Sequence, residues 1–453
     1  MPMKKQVESL IRQLRVQGKF SWTLVDQAMV SGSNFAYGLV LTRYLGLDGF
    51  GRFSLAWMAV IFVCTILDAL IVLPMLSIGP RQSVDEQAGY YGTVIIHALV
   101  CSGLSSCLLF ALMWAGTAFS FGASFRSLAV VVAGASFTFL LQNFFRFYFF
   151  ANSRLALAVL CDAVSYPGQL LALLGLTRWI EIDVTLALAT AGVTSGLAAM
   201  LGLLLIGEVR WDRAIFAATS RRHWHFGKWL AGSALIRWLA YDTFTLGAGE
   251  KLGASTVGLM KSVQNITNMF QSLYAGIDGI ATPTAARRYH EGGRSALVAY
   301  GQQLTLCVVS ITAVFLVVMV ATPGFWLSLF YGSPSAGHGA ILRWFGVIQF
   351  LMTFIYIGHT LLRTLEATRF LFVSYVAAAV INLVALSPLL RWWGLGGAVI
   401  GTALGRAVML VVIGFGLWQS LRPRSVATPR APRVAKSDAS PVIEEADEVC
   451  QNV

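Results

Sequence analysis

Lys261, Gln264, Asn265, Asn268 and Ser272 recur at three- and four-residue spacing, which stacks their side chains on one face of a helix. An ammonium, three carboxamides and a hydroxyl in one row can bind an anionic, hydroxyl-rich ligand, such as a sugar phosphate, through hydrogen bonds. The preceding apolar segment adds Ser233, Arg237, Tyr241 and Thr245 at four-residue steps. Arg146 and Arg406 also fall inside apolar stretches, as do Asp26, Asp68 and Asp242. Charge in hydrocarbon is expensive, so each such residue is a functional candidate. Arg146, Arg237, Lys261 and Arg406 are candidates for an anionic headgroup. Tyr241, Gln264, Asn265, Asn268 and Ser272 are candidates for sugar contacts, and Asp26, Asp68 and Asp242 for ion coupling or a gate. The competing reading is structural: pairs such as Arg237 with Asp68, or Asp242 with Lys261, would lock helices together.

No other chemistry stands out. His223 and His225 flank Trp224 as half of a metal site, but no further ligands are near. There is no HExxH, GxSxG or P-loop pattern, so neither an enzyme nor a cofactor is expected.

The elements that must position these residues are transmembrane helices. Hydrophobic residues make up 57% of the 453 and charged ones 12%, with mean hydropathy +0.70, whereas a soluble chain carries about 25% charged residues. Windows of about 20 apolar residues predict roughly twelve spans, from 21–42 to 395–420. The fold class is an all-α polytopic membrane protein. Five cysteines lie within apolar spans, and Cys450 begins a Cys-Gln-Asn-Val terminus that fits prenylation poorly.

The net charge of +12 does not point to nucleic acid, because the positive residues alternate with topology. Of 33 Lys and Arg, 22 fall at the termini and alternate turns, including Arg81, Arg154, Arg221, Arg222, Arg287 and Arg363, against seven on the other side. The positive-inside rule then puts both termini in the cytoplasm. The chain divides into a basic amphipathic lead (1–20, with Val7, Leu10, Ile11 and Leu14 on one face), a six-helix lobe (21–208), a basic linker (209–228), a second six-helix lobe (229–420) and a disordered tail (421–453). A short repeat supports the duplication. Leu45-Gly46 with Gly51, and Leu252-Gly253 with Gly258, occupy the same offsets after the first span of each half.

Asn34-Phe35, Thr42-Arg43-Tyr44-Leu45-Gly46 and Phe50-Gly51-Arg52-Phe53 resemble the first hairpin of bacterial polysaccharide transporters, the Wzx-type flippases. Arg146 through Arg154, then Asp162, and Gly394-Leu395-Gly396-Gly397-Ala398 resemble later parts of the same family. The resemblance implies the fold of the multidrug, oligosaccharidyl-lipid and polysaccharide (MOP) exporter superfamily, two lobes around a cavity that opens alternately to each side. It also implies a polyprenyl-diphosphate-linked oligosaccharide as substrate, the bacterial inner membrane as location, and glycan polymerases or glycosyltransferases as pathway partners. Two alternatives stay open: an ion-coupled multidrug or cation antiporter of the same fold, and a membrane-embedded glycan polymerase or ligase. The first wants an acidic cavity and the second a long outward loop.

Overall fold

A computed structural model describes residues 2–115, 126–211, 213–332 and 337–422. Within them, the side chains of residues 2–21 and of Ser272 lie outside the description, as does the amphipathic face assigned to Val7, Leu10, Ile11 and Leu14. The tail from 423 onward, Cys450 included, also lies outside the described residues.

Every regular element among the described residues is helical. Hydrocarbon offers no partner for a free N–H or C=O, so apolar segments of this length satisfy their backbones internally. Three long helical runs leave the helical region at Gly46, Gly293 and Gly394. Divided there, the first half holds α1 (2–45), α2 (47–78), α3 (Val84–Ala115), α4 (Ala129–Ala151), α5 (Leu155–Leu176) and α6 (Val184–Leu204). The second half holds α7 (Arg213–Leu252), α8 (254–292), α9 (294–321), a short α10 (Pro323–Tyr331), α11 (Gly339–Thr364), α12 (369–393) and α13 (395–421). Setting α10 aside, these are twelve long helices, six in each half. Each lobe has its own core. The first is built around Phe144, Phe149, Leu140 and Leu188. The second is built around Met260, Leu327 and Leu342, with a further cluster at Leu362 and Met409.

The repeat read from the sequence marks corresponding places in the two lobes. Gly46 has φ 65° and Gly253 φ 93°, left-handed values that glycine adopts freely as the chain reverses after α1 and after α7. Five residues beyond each, Gly51 and Gly258 face one another where α2 crosses α8. A Cβ on Gly51 would collide with the Ala254 carbonyl, and one on Gly258 with the Leu47 carbonyl. The lobes meet backbone to backbone at this end, opposite the end that carries Arg81, Arg154, Arg222 and Arg363. Three further contacts tie the same end. Arg43 donates to the carbonyls of Leu329 (2.7 Å) and Phe330 (2.8 Å), Asn265 Nδ2 donates to the Phe35 carbonyl (3.1 Å), and Thr42 meets Ser262 at 3.4 Å.

Two expectations need revision. Eight described helical stretches are long and apolar enough to cross a membrane by composition, and α7 is not among them. The polar residues that drew attention to α7 also dilute its hydropathy, and protein packed on several sides compensates. The basic stretch at 209–228 is also no separate connector from Arg213 onward, because it forms the first turns of α7. These turns dock on the first lobe. His223 Nε2 pairs with the Tyr90 hydroxyl at 2.9 Å, His97 Nε2 with Ser220 Oγ at 2.7 Å, and Gly227 lies against the backbone of Ala69 and Leu70. Farther along, α7 belongs to the second lobe, where Asn382 and Arg406 donate to its Ala240 carbonyl at 2.9 and 3.0 Å. His223 thus serves packing, and no metal-binding group of His, Cys, Asp or Glu occurs among the described residues.

The docking of α7 should be pH-sensitive through His223. Burial lowers its imidazole pKa from 6.5 to about 4, so the folded protein binds fewer protons than the unfolded chain between those values. Stability therefore falls as pH drops through that window and is level above it. Thermal unfolding followed from pH 7.5 to 5 should show a drop of about a few degrees. His223→Gln, which cannot titrate, should flatten that part of the slope.

Candidate functional site

Between the lobes lies a cleft of about 250 Å³. Its second-lobe wall holds Lys261, Gln264, Asn265 and Asn268 of α8 with Trp238 and Asp242 of α7, so four of the five stripe residues face one cavity. The fifth is Ser272. The first-lobe wall comes from α2, where Phe53, Trp57 and Ile61 follow at four-residue steps beside Phe50, Ser54 and Met58. The aromatic residues fix its shape. Trp57 packs edge-on to Phe139 (5.0 Å between centroids), and Phe62 meets Trp238 across the lobes at 4.7 Å. Sequence reasoning missed the α2 wall, although an aromatic stripe at helical spacing in an aliphatic span was its signal.

The cations do not gather in this cleft. Lys261 lines it, with its ammonium 3.5 Å from an Asp242 carboxylate oxygen. Arg237 is exposed and makes no ion pair within 4 Å among the described residues, so of the two pairs named in the structural reading Asp242 with Lys261 forms and Arg237 with Asp68 does not. Asp68 instead accepts from Asn143 Nδ2 at 2.7 Å. Arg406 is buried in the second lobe, with its guanidinium 3.7 Å from the centroid of the Tyr241 ring and bonded to the backbone carbonyls of α7. Both Arg406 and Tyr241 are therefore directed into packing instead of the cleft.

Arg146 lies in the first lobe between two carboxylates, 2.6 Å from Asp26 and 2.8 Å from Asp162. Asp26 and Asp162 are essentially inaccessible, and Gln142 donates to Asp162 at 2.6 Å. The guanidinium donates to Asp26 and lies within ion-pair distance of Asp162, so its charge is already balanced by two buried carboxylates away from the residues that line the cleft. This placement corrects the expectation that Arg146 belongs to a headgroup cluster. It also joins Asp26 of α1, Arg146 of α4 and Asp162 of α5 into one structural unit.

Asn265 is also partly committed, since its amide donates to the Phe35 carbonyl and toward the Tyr331 hydroxyl at 3.4 Å. The polar lining of the cleft is Lys261, Gln264, Asn265 and Asn268 beside indole and phenyl surfaces. That set can bind an anion at the ammonium, hydrogen-bond hydroxyls through amides, and stack apolar sugar faces.

The arrangement of these two lobes is similar to the fold of solved transporters described as members of the MOP superfamily. Residues 230–386 match the sequence model of the MatE family, the stretch from α7 into α12 that holds the second-lobe wall. Among solved structures, the inward-facing conformation of a multidrug resistance MATE family transporter of the MOP superfamily is similar with TM-score 0.71 at 15% identity, covering 88% of this chain and 96% of that one. The outward-facing conformation of such a transporter gives TM-score 0.60 at 14% identity over 90% and 94%. A MOP superfamily transporter from Pyrococcus furiosus gives 0.61 at 15% identity over 90% and 94%. These likenesses establish the fold. No curated protein matches the chain significantly in sequence.

Proposed function

We propose that the chain is an alternating-access transporter of a lipid-linked anionic glycan, of the polyprenyl-diphosphate oligosaccharide type, in a bacterial inner membrane with both termini cytoplasmic. The observation that carries the reading is the cleft itself, which sets one ammonium and a row of amides opposite an aromatic wall at the meeting of the lobes. The diphosphate binds at Lys261 and the first sugars lie along Gln264 and Asn268, while Arg237, exposed and outside the cleft lining, is the candidate for a second phosphate contact once the lobes move. A cleft of about 250 Å³ holds a headgroup and not a long glycan, so the remainder of the substrate waits on lobe separation and the lipid tail stays in the bilayer. The asymmetry of basic residues supports the orientation. The inward-facing relative is the more similar of the two states compared, which supports a cleft that loads from the basic end.

The pair of Lys261 and Asp242 gives this reading a test with opposite signs. Lys261→Ala should lower glycolipid export roughly tenfold or more, the worth of one charge-assisted contact. Asp242→Asn frees the ammonium and should tighten substrate binding. Export is measured in reconstituted vesicles at matched protein levels. Wild-type export by both Lys261→Ala and Arg237→Ala would overturn the headgroup assignment, and equal loss of folded protein in Lys261→Ala and Asp242→Asn would make the pair a helix lock.

A second reading is a multidrug antiporter, since the similar solved structures include multidrug resistance MATE family transporters. The first-lobe group of Asp26, Asp162 and Asp68 around one arginine favours it, since an excess of buried carboxylates suits a coupling proton or cation. Efflux of cationic dyes from a sensitised host, undiminished by Lys261→Ala, is the outcome that selects it.

A further inference from the structure

A second and larger cavity, about 600 Å³, lies at the basic end, away from the inter-lobe cleft. It forms where the last turn of α2 and the turn Gly79–Arg81 meet the first turns of α7. Arg81 enters from one side, Arg221, Arg222 and His225 from the other, with Ser77 and Phe226 completing the wall. Arg222 donates to the Gln82 side chain at 3.3 Å when that amide is turned to bond Glu86 as well, so it is aimed by a neutral partner. Among the described residues, no carboxylate lies within ion-pair distance of Arg81, Arg221 or Arg222. Three exposed arginines therefore line one cavity of ligand size with no ion-pair partner among the described residues.

On α7 or just before it, Trp211, Trp224 and Trp229 are 58%, 62% and 74% exposed. An exposed tryptophan near the end of a membrane helix suits the level of the lipid headgroups, where its ring is half in hydrocarbon and its N–H is wet. The planar forks of arginine match the oxygens of a phosphate, and Phe226 supplies an apolar side for what the phosphate is attached to.

We infer that this cavity is a phosphate-binding site, filled by an anionic phospholipid headgroup or a soluble phosphate, whose occupant ties the end of α2 to α7. The site shares no residue with the glycan cleft and does not depend on the substrate proposed for it. Because the first turns of α7 dock on the first lobe while its later turns pack in the second, an occupant here braces the junction of the lobes at the basic end.

The test uses the full-length protein purified in neutral detergent. Phosphatidylglycerol retained per protein is counted by native mass spectrometry, with inorganic pyrophosphate as the soluble probe. Wild type should retain lipid, pyrophosphate or both, and the combination of Arg81→Ala, Arg221→Ala and Arg222→Ala should lose retention by roughly ten- to a hundredfold. The control combination Arg287→Ala, Arg288→Ala and Arg294→Ala, basic residues at the same end, should lose little. Retention of phosphatidylglycerol alone identifies a lipid source, and retention of pyrophosphate with the same arginine dependence a soluble one. If the triple variant fails to fold, Arg81→Gln and Arg222→Gln singly are read in the same assay. Equal loss in the control, or no loss in the cavity variants with either probe, overturns the site.

Discussion

On the transport reading proposed above, Gly258→Val should stop transport and drive the protein out of the conformation described here. At this crossing the Leu47 carbonyl already occupies the space that a Cβ would need, and the facing Gly51 amide leaves no room on the other side. The obstacles are backbone atoms, so no rotamer change can relieve the clash and the helices must part. Overpacking a well-fitted interface costs about 1–3 kcal/mol when side chains can yield, and more when they cannot. A bias of about 3 kcal/mol changes the ratio of two states by more than a hundredfold, enough to empty the state in which α2 and α8 touch. Spin labels on α2 and α8 near this crossing should report a longer distance in Gly258→Val than in wild type, and export in vesicles should fall to background. Gly51→Val, its counterpart in the other lobe, should behave alike. Gly396→Ala is the matched control, because nothing lies within 4 Å of its Cβ position. An unchanged distance in Gly258→Val would show that the lobes do not rely on this contact.

Arg146→Ala should have the second large effect, with lost protein and no separate defect in substrate binding as its signature. Removing the guanidinium leaves Asp26 and Asp162 buried against each other with no counter-charge. Breaking a buried ion pair by deleting one partner costs about 3–5 kcal/mol, whereas replacing all members by neutral groups of similar shape is often tolerated. The combination Arg146→Met, Asp26→Asn and Asp162→Asn should therefore recover much of the folded yield that Arg146→Ala loses. Fluorescence-detected size exclusion measures both. A well-folded Arg146→Ala would contradict the structural role.

Much of this architecture was legible in the chain. Runs of about 20 apolar residues locate most of the long helices because a bilayer tolerates no other backbone solution, while α7 falls short by composition. The offsets of Leu45, Gly46 and Gly51 against Leu252, Gly253 and Gly258 mark corresponding turns because two positions need positive φ and two need a missing Cβ. The polar face of α8 was readable for the same periodic reason. What periodicity does not carry is the partner. Arg146, Asp26 and Asp162 lie on three helices separated by up to 136 positions in the chain, and nothing local distinguishes a guanidinium held by carboxylates from one held for a ligand. Arg406 looked equally available until its carbonyl partners on α7 were known. The basic run before residue 229 read as a linker because charge signals a membrane boundary and says nothing of whether a helix continues through it.

The continuity of α7 across both lobes bears on how the chain can be divided. The duplication invites separate expression of two half-molecules cut after the sixth helix. A first half ending at Leu204 would leave Tyr90 and His97 without the surface that His223 and Ser220 provide. A first half extended through Lys228 carries that surface with it. The second half would then begin with the Ala240 carbonyl still held by Asn382 and Arg406. The natural seam of this protein thus runs through the interior of a helix, sixteen residues past its start.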